Sequence, residues 1–270
     1  MSAIVGQGFW LNCGVTAAAL AGCMLILWLL SIRLRDISIV DIFWGPGFGL
    51  VALITYFMSD GIGLDSRRML ATALTVTWAV RLGIYLFWRN HGKGEDPRYT
   101  AAFRSQPDPH LHRQTLIKVY LLQGFMIWLI SMPVQLAQYL APSVQLGMPA
   151  LVGTALWIVG FLFEAIGDLQ LARFRSNPAS RGRILDSGLW RYTRHPNYFG
   201  NACLWWGLFL IACDHWVGGL TIFAPLLMTH FLLNVTGKEL LEKRMGRARP
   251  GYAEYVARTS GFFPWPPRTS

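Results

Sequence analysis

Charge is what this chain has least of. Only 14% of its 270 residues are Asp, Glu, Lys or Arg, against about 25% in an ordinary soluble domain, which argues against a water-soluble protein. Cysteine is scarce too: Cys13, Cys23, Cys203 and Cys213 all lie within or at the end of apolar runs. None has the C-x₂-C or His-rich spacing that zinc requires, so neither a metal site nor a structural disulfide is expected. The first ten residues hold no Lys or Arg, and a cleaved secretory signal needs a basic start. No internal repeat and no long Gly/Ser-rich linker divides the chain, so a single domain over 1–270 is expected.

What the sequence does have is long apolar runs. Apolar residues make up 53%, with 12 Trp and 16 Phe, and the net charge is +10. A basic balance suggests nucleic acid, but a bilayer core about 30 Å thick needs ~20 apolar residues per helix, and several runs here meet that length. The expectation is an all-α integral membrane protein of seven helices, at about 11–32, 37–58, 69–90, 115–141, 149–172, 197–213 and 219–237. Gly45-Pro46-Gly47 should interrupt the second span near its start, and Pro133 should kink or break the fourth.

Lys and Arg accumulate in cytoplasmic loops. The segments 33–36, 89–114, 173–196 and 238–270 hold 20 of the 24 cations, and the opposite side holds only Arg67 and Arg68. This split places the N-terminus outside and the C-terminus in the cytosol. The fitting membrane is the bacterial inner membrane, or the endoplasmic reticulum in a eukaryote, with membrane lipids as neighbours and a monomer as the simplest state. Nucleic acid is not needed to explain the charge.

Charges inside spans are expensive and tend to face a bundle interior or a water-filled cavity, so each marks a candidate site. Asp41 precedes Trp44 and the Gly-Pro-Gly break; Arg81 and Tyr85 share a helix face, as do Glu164, Asp168 and Arg175. The stretch 173–201 interleaves arginines with Tyr192, His195, Asn197 and Tyr198 and leads through Pro196 into a helix. Guanidinium groups and a helix N-terminus both suit phosphate, although a loop touching lipid headgroups reads similarly. In the tail, Tyr252 and Tyr255 either close a pocket over a cofactor or anchor at the interface, and Phe262-Phe263-Pro264-Trp265 fits the anchor better.

From Gly188 to Gly200 the chain reads G-L-W-R-Y-T-R-H-P-N-Y-F-G, and Gly251-Tyr252-Ala253-Glu254-Tyr255 follows in the tail. With Arg81-Leu82, the run Arg89 to Tyr99 and Asp41-Ile42-Phe43-Trp44-Gly45, this resembles the steroid 5α-reductase superfamily, and more closely its bacterial membrane-reductase branch. The resemblance runs from about 36 to 266. The Arg-His-Pro-x-Tyr motif also occurs in membrane methyltransferases of the isoprenylcysteine and phospholipid type, which use S-adenosylmethionine. A match at Leu122-Gln123-Gly124, and at Glu164, Asp168, Arg175 and Arg183, favours the reductase.

The resemblance implies NADPH-dependent reduction of a carbon–carbon double bond conjugated to a ketone, in a steroid-like hydrophobic substrate entering from the bilayer. It implies a cofactor site of Glu164, Asp168, Arg175, Arg183, Tyr192, Arg194, His195, Asn197 and Tyr198, completed by Lys238, Glu239, Tyr252 and Tyr255. Where the reductases carry a Gln-Glu pair this chain has Val40-Asp41, and their span-three Tyr falls on Trp78, with Tyr85 the nearest same-face tyrosine. Asp41 is then the expected acid toward the ketone, Tyr85 the alternative donor, and Trp44, Trp78 and Gln123 the substrate neighbours. Methyl transfer from S-adenosylmethionine and non-enzymatic lipid binding are the competing expectations.

Overall fold

The computed structural model describes residues 6–104, 108–140, 145–235, 242 and 249–268, which are helical with no strand among them. The chain forms two compact units, one from Met1–Ala150 with Ile211–Thr221 and the other from Leu151–Leu210 with Ile222–Ser270.

In the first unit α1 (Gln7–Leu34) is followed by a single 3₁₀ turn and α2 (Val40–Met58), then α3 (Asp65–Asn90). Pro46 lies inside α2 without breaking it, unlike the interruption expected from Gly45-Pro46-Gly47. Small residues on both helices let the backbones approach: a Cβ on Gly45 would meet the Ala79 carbonyl oxygen at 2.9 Å, and one on Gly83 would meet the Pro46 ring at 2.8 Å. The proline ring packs into the space that Gly83 leaves open.

A short connection carries α4 (Pro97–Phe103), and the next helix is built in pieces: α5 (Leu111–Thr115), a π turn (Leu116–Leu121), α6 (Leu122–Ile130) and α7 (Met132–Tyr139). The break expected at Pro133 is a 41° bend between the two halves.

Polar side chains lock this unit from inside. The Gln135 side-chain oxygen accepts from Asn12 Nδ2 and Thr16 Oγ1, both at 3.0 Å, and Thr72 Oγ1 donates to Gln138 at 3.2 Å. Interhelical hydrogen bonds of this kind hold helices together where lipid removes the hydrophobic contrast. Arg67 is wholly buried, donating to the carbonyls of Ala137 (2.9 Å) and Leu140 (2.8 Å) and pairing with Asp214 at 3.3 Å. A buried charge needs such a partner.

The second unit is organised by α8 (Met148–Ser176) and α9 (Pro196–Ala212), followed by α10 (Phe223–His230), which runs into a π turn, and the tail helix α11 (Tyr252–Arg258). Glycines set the α8–α9 contact. A Cβ on Gly160 would meet the Leu204 backbone nitrogen at 2.6 Å, and one on Gly207 the Gly153 carbonyl oxygen at 2.6 Å.

Among the described residues, five helices are long and apolar enough to cross a membrane, or six if the bent pair spans as one. That is fewer than the seven expected. The helix expected at 197–213 does form, but α9 has only 17 residues, short of the ~20 that a straight crossing requires.

Candidate functional site

Two polar clusters stand out, one in each unit. The first grows from the sequence Asp96-Pro97-Arg98-Tyr99. Asp96 caps α4, accepting from the Arg98 backbone N–H at 2.8 Å, and Pro97 occupies the first turn. That pairing of cap and proline is a strong helix start, and it fixes where the next two side chains go. Arg98 Nη2 reaches Asp41 Oδ2 at 2.9 Å, and the Tyr99 hydroxyl donates to Asp41 Oδ1 at 2.6 Å.

Gln123 Nε2 then donates to the same tyrosine oxygen at 3.2 Å. The π turn before α6 carries Tyr120, whose hydroxyl donates to the Ile37 carbonyl at 2.9 Å, tying that helix to the start of α2. Glu95 Oε1 accepts from Ile37 N at 2.8 Å, and Ser38 Oγ accepts from Asp96 N at 3.2 Å. The whole 95–99 segment is thereby strapped to the α2 entrance.

The electrostatics follow from this packing. Burial, and then the adjacent Asp41 carboxylate, push the Tyr99 phenol above its ordinary range, so it stays protonated at neutral pH. Burial works against Asp96 ionising, but hydrogen bonds from Arg98 outweigh it and hold the carboxyl below its usual value. Asp41 is an acceptor here on both oxygens.

The expected residues of this region are dispersed around that cluster. Gln123 joins Asp41 through Tyr99. Tyr85 instead lies between two guanidinium groups, with Arg81 at 5.2 Å and Arg89 at 5.6 Å from its ring centre. Trp78 is fully buried against Phe48, which also meets Trp44 edge-on. Separately, an apolar groove of about 340 Å³ opens along α1 and α6, lined by Leu20, Met24, Gly124, Phe125 and Trp128.

The second cluster sits on the α8–α9 contact. Asn197 Nδ2 donates to Asp168 Oδ1 at 3.0 Å, and Asn201 Nδ2 donates to Glu164 Oε2 at 3.2 Å. Both pairs are spaced four residues on their own helix, so two amides on α9 face two acids on α8 in register. Glu164, Asp168 and Asn201 are buried, and the Asn201 side-chain oxygen has no hydrogen-bond partner among the described residues.

Arg175, in the last turn of α8, and Arg183 beyond it are exposed. Arg194 and His195 are buried and converge on Glu242, at 2.9 Å from Arg194 Nε and 3.1 Å from His195 Nε2. Although burial opposes its ionisation, the hydrogen bonds from His195 and Arg194 hold Glu242 down at about 2. His195 also stacks on Tyr198, 5.4 Å between centres and 3° from parallel. Tyr255 donates its hydroxyl to the Trp190 carbonyl at 2.6 Å, the Tyr192 carbonyl accepts from Trp265 N at 3.0 Å, and Tyr252 packs beside Tyr255. The tail is thus latched onto the 190–195 segment. Lys238 and Glu239 lie outside the described residues.

Four participants carry no role that the sequence alone assigns: Arg98, Tyr99, Asn201 and Glu242. The Asp-Pro helix start announces the first two, and Asn201 repeats the four-residue step of Glu164 and Asp168. Glu242 carries no local signal.

Residues 27–259 match the family model described as "Protein of unknown function (DUF1295)". An uncharacterised protein of Schizosaccharomyces pombe is 26% identical over 267 residues, covering 88% of this chain and 76% of the yeast protein. No solved structure matches the chain.

Proposed function

The chain belongs to the DUF1295 family, whose function is unknown, and from that premise we propose that it is a membrane-embedded, NADPH-dependent reductase of carbon–carbon double bonds conjugated to a ketone. The Tyr99–Asp41 hydrogen bond carries this reading: a protonated phenol, held at 2.6 Å by a carboxylate that Arg98 fixes in place, is the donor that a developing enolate needs. The proposal includes a seven-span topology with the C-terminus in the cytosol. The resemblance of the 81–99 and 188–200 segments to the steroid 5α-reductases supports it.

The α8–α9 cluster fits the cofactor. Asp168 and the orphaned Asn201 oxygen are buried acceptors suited to ribose hydroxyls or a carboxamide. The exposed Arg175 and Arg183 suit phosphates. When bound, NADPH would supply a hydride.

The chain's own groups do the rest. A hydrophobic enone enters from the bilayer by the α1–α6 groove. Its ketone takes a hydrogen bond from the Tyr99 hydroxyl, competing with Asp41 for that proton and winning as its oxygen gains charge. Gln123 fixes the phenol oxygen from the other side, and Arg98 balances the carboxylate left without its donor. The enolate left by hydride addition takes a proton from water at its α-carbon, which restores the ketone and completes the saturated bond. In catalysis of this kind, donors aligned on a developing oxyanion commonly lower the barrier more than any other single effect. Asp41 acts as the positioning group, and Tyr99 replaces both it and Tyr85 as the proposed donor.

Ligand-dependent melting of the detergent-solubilised protein tests the reading, since a ligand that binds only the folded form stabilises it by mass action. NADPH is expected to raise the melting temperature and S-adenosylmethionine to leave it unchanged. Stabilisation by S-adenosylmethionine alone points to methyl transfer, and no response to either points to a lipid-binding protein; both outcomes overturn the reductase.

A further inference from the structure

Arg194, residues 256–261, Trp265, Pro266 and Arg268 enclose a cavity of about 260 Å³ in the second unit. Among the described residues that line it none is acidic and three are arginines. Arg194 is buried at its wall, aimed by Glu242 and by the carbonyls of Val256 and Thr259. Arg258, half exposed and paired with Asp186, and the exposed Arg268 stand at its rim.

Beside this cationic wall, Phe263 and Trp265 are 70% and 69% exposed. That is costly in water and ordinary at a membrane interface, where aromatic rings settle at headgroup depth. Phe262 and Phe263 both lie edge-on to Phe199 at 6.0 Å, which fixes this segment at the first turn of α9. The cavity is therefore held at one end of an apolar helix, with guanidinium groups and exposed rings side by side.

We infer that this cavity binds the phosphate headgroup of an anionic membrane phospholipid, with Trp265 and Phe263 inserted among the acyl chains' upper ends. Its volume is below the about 300–1,000 Å³ of sites that enclose whole small molecules, so it suits a headgroup and not a dinucleotide. Arginine is the side chain that meets phosphate in paired hydrogen bonds. Among the described lining residues the only charged side chains are arginines. Although Arg194 and Arg258 each have a carboxylate partner outside the lining, such a wall favours a headgroup whose net charge is negative over one that also carries an ammonium.

The test uses the full-length protein in a neutral detergent. Melting is followed with added phosphatidylglycerol, phosphatidylcholine of the same chains, inorganic phosphate, and NADPH, for the native chain, the double variant Arg258→Gln/Arg268→Gln, and Trp265→Ala. All three positions are at the surface, so the variants should fold, and their melting without lipid checks this. Phosphatidylglycerol is expected to stabilise the native chain at concentrations where phosphatidylcholine and inorganic phosphate do not. Each arginine removed should weaken that response roughly fivefold; Trp265→Ala should weaken it too, and all variants should keep the native response to NADPH. Equal stabilisation by both lipids, a preference that survives in the double variant, or an effect reproduced by inorganic phosphate would overturn the inference. So would a double variant that loses its lipid and NADPH responses together, since that assigns the cavity to the nucleotide.

Discussion

Tyr99 and Glu242 illustrate how far one side chain's surroundings determine its use. Removing only the phenol oxygen, by Tyr99→Phe, deletes the donor and keeps the ring. Enone turnover is expected to fall roughly a hundred- to a thousandfold, the usual loss for one oxyanion donor, with melting in the presence of NADPH unchanged. Asp41→Asn keeps a partner for Tyr99 but removes one of the two carboxylates that Arg98 pairs with, leaving Asp96, so a smaller loss of turnover is expected, measured in the same assay. Full activity in Tyr99→Phe removes that residue from the mechanism.

Glu242 gives a pH prediction. Its carboxyl is held at about 2 against an ordinary 4.5, so its bonds to Arg194 and His195 contribute fully above pH 4.5. That contribution is lost as the pH falls from there through about 2. Limited proteolysis of the tail with an acid-active protease should accelerate across that interval, and Glu242→Gln should be cut quickly at every pH.

Among the elements, the α8–α9 pair depends on bare glycine surfaces. A methyl group on Gly160 would lie 2.6 Å from a backbone nitrogen of α9, so Gly160→Ala must push the helices apart. Overpacking of this kind costs roughly 1–3 kcal/mol, and it also shifts the register of Asp168 against Asn197 and of Glu164 against Asn201. A lower melting temperature together with a weaker NADPH response is the expected result. Gly219→Ala is the control, because a Cβ there meets nothing within 4 Å.

The acids of α8 were legible in sequence because a charge inside an apolar run is conspicuous and a four-residue step defines a face. The bend near Pro133 was legible for a similarly local reason. The continuity of α2 through Pro46 was not, because it depends on Gly83 of another helix. Nor was the preference of Asp41 for Tyr99 over Tyr85, since the choice is made by the capped turn at Asp96 folding back onto α2. A helix face can be read from spacing, whereas a contact between distant segments requires the packed chain.

For the whole molecule, apolar run lengths identified a multi-pass membrane protein, but run length alone counted α9 as an ordinary span. At 17 residues it crosses only where the bilayer thins or polar flanks reach outward. The proposed topology puts both the 173–196 segment and the tail in the cytosol. Fusions at the C-terminus in a bacterial host should give a fluorescent green fluorescent protein and an inactive alkaline phosphatase. An active phosphatase would reverse the orientation and remove the cofactor clusters from the nucleotide pool.

The most direct measurement is a reduction assay on the purified protein: NADPH oxidation, followed by nicotinamide absorbance, with a 3-oxo-4-ene steroid or a simpler lipophilic enone, and product identification by mass spectrometry. Enone-dependent oxidation with saturation of the double bond and retention of the ketone, abolished or nearly so by Tyr99→Phe, is the expected result. A native protein that binds NADPH yet reduces none of a broad panel of enones, or one whose turnover survives Tyr99→Phe undiminished, contradicts the proposed chemistry.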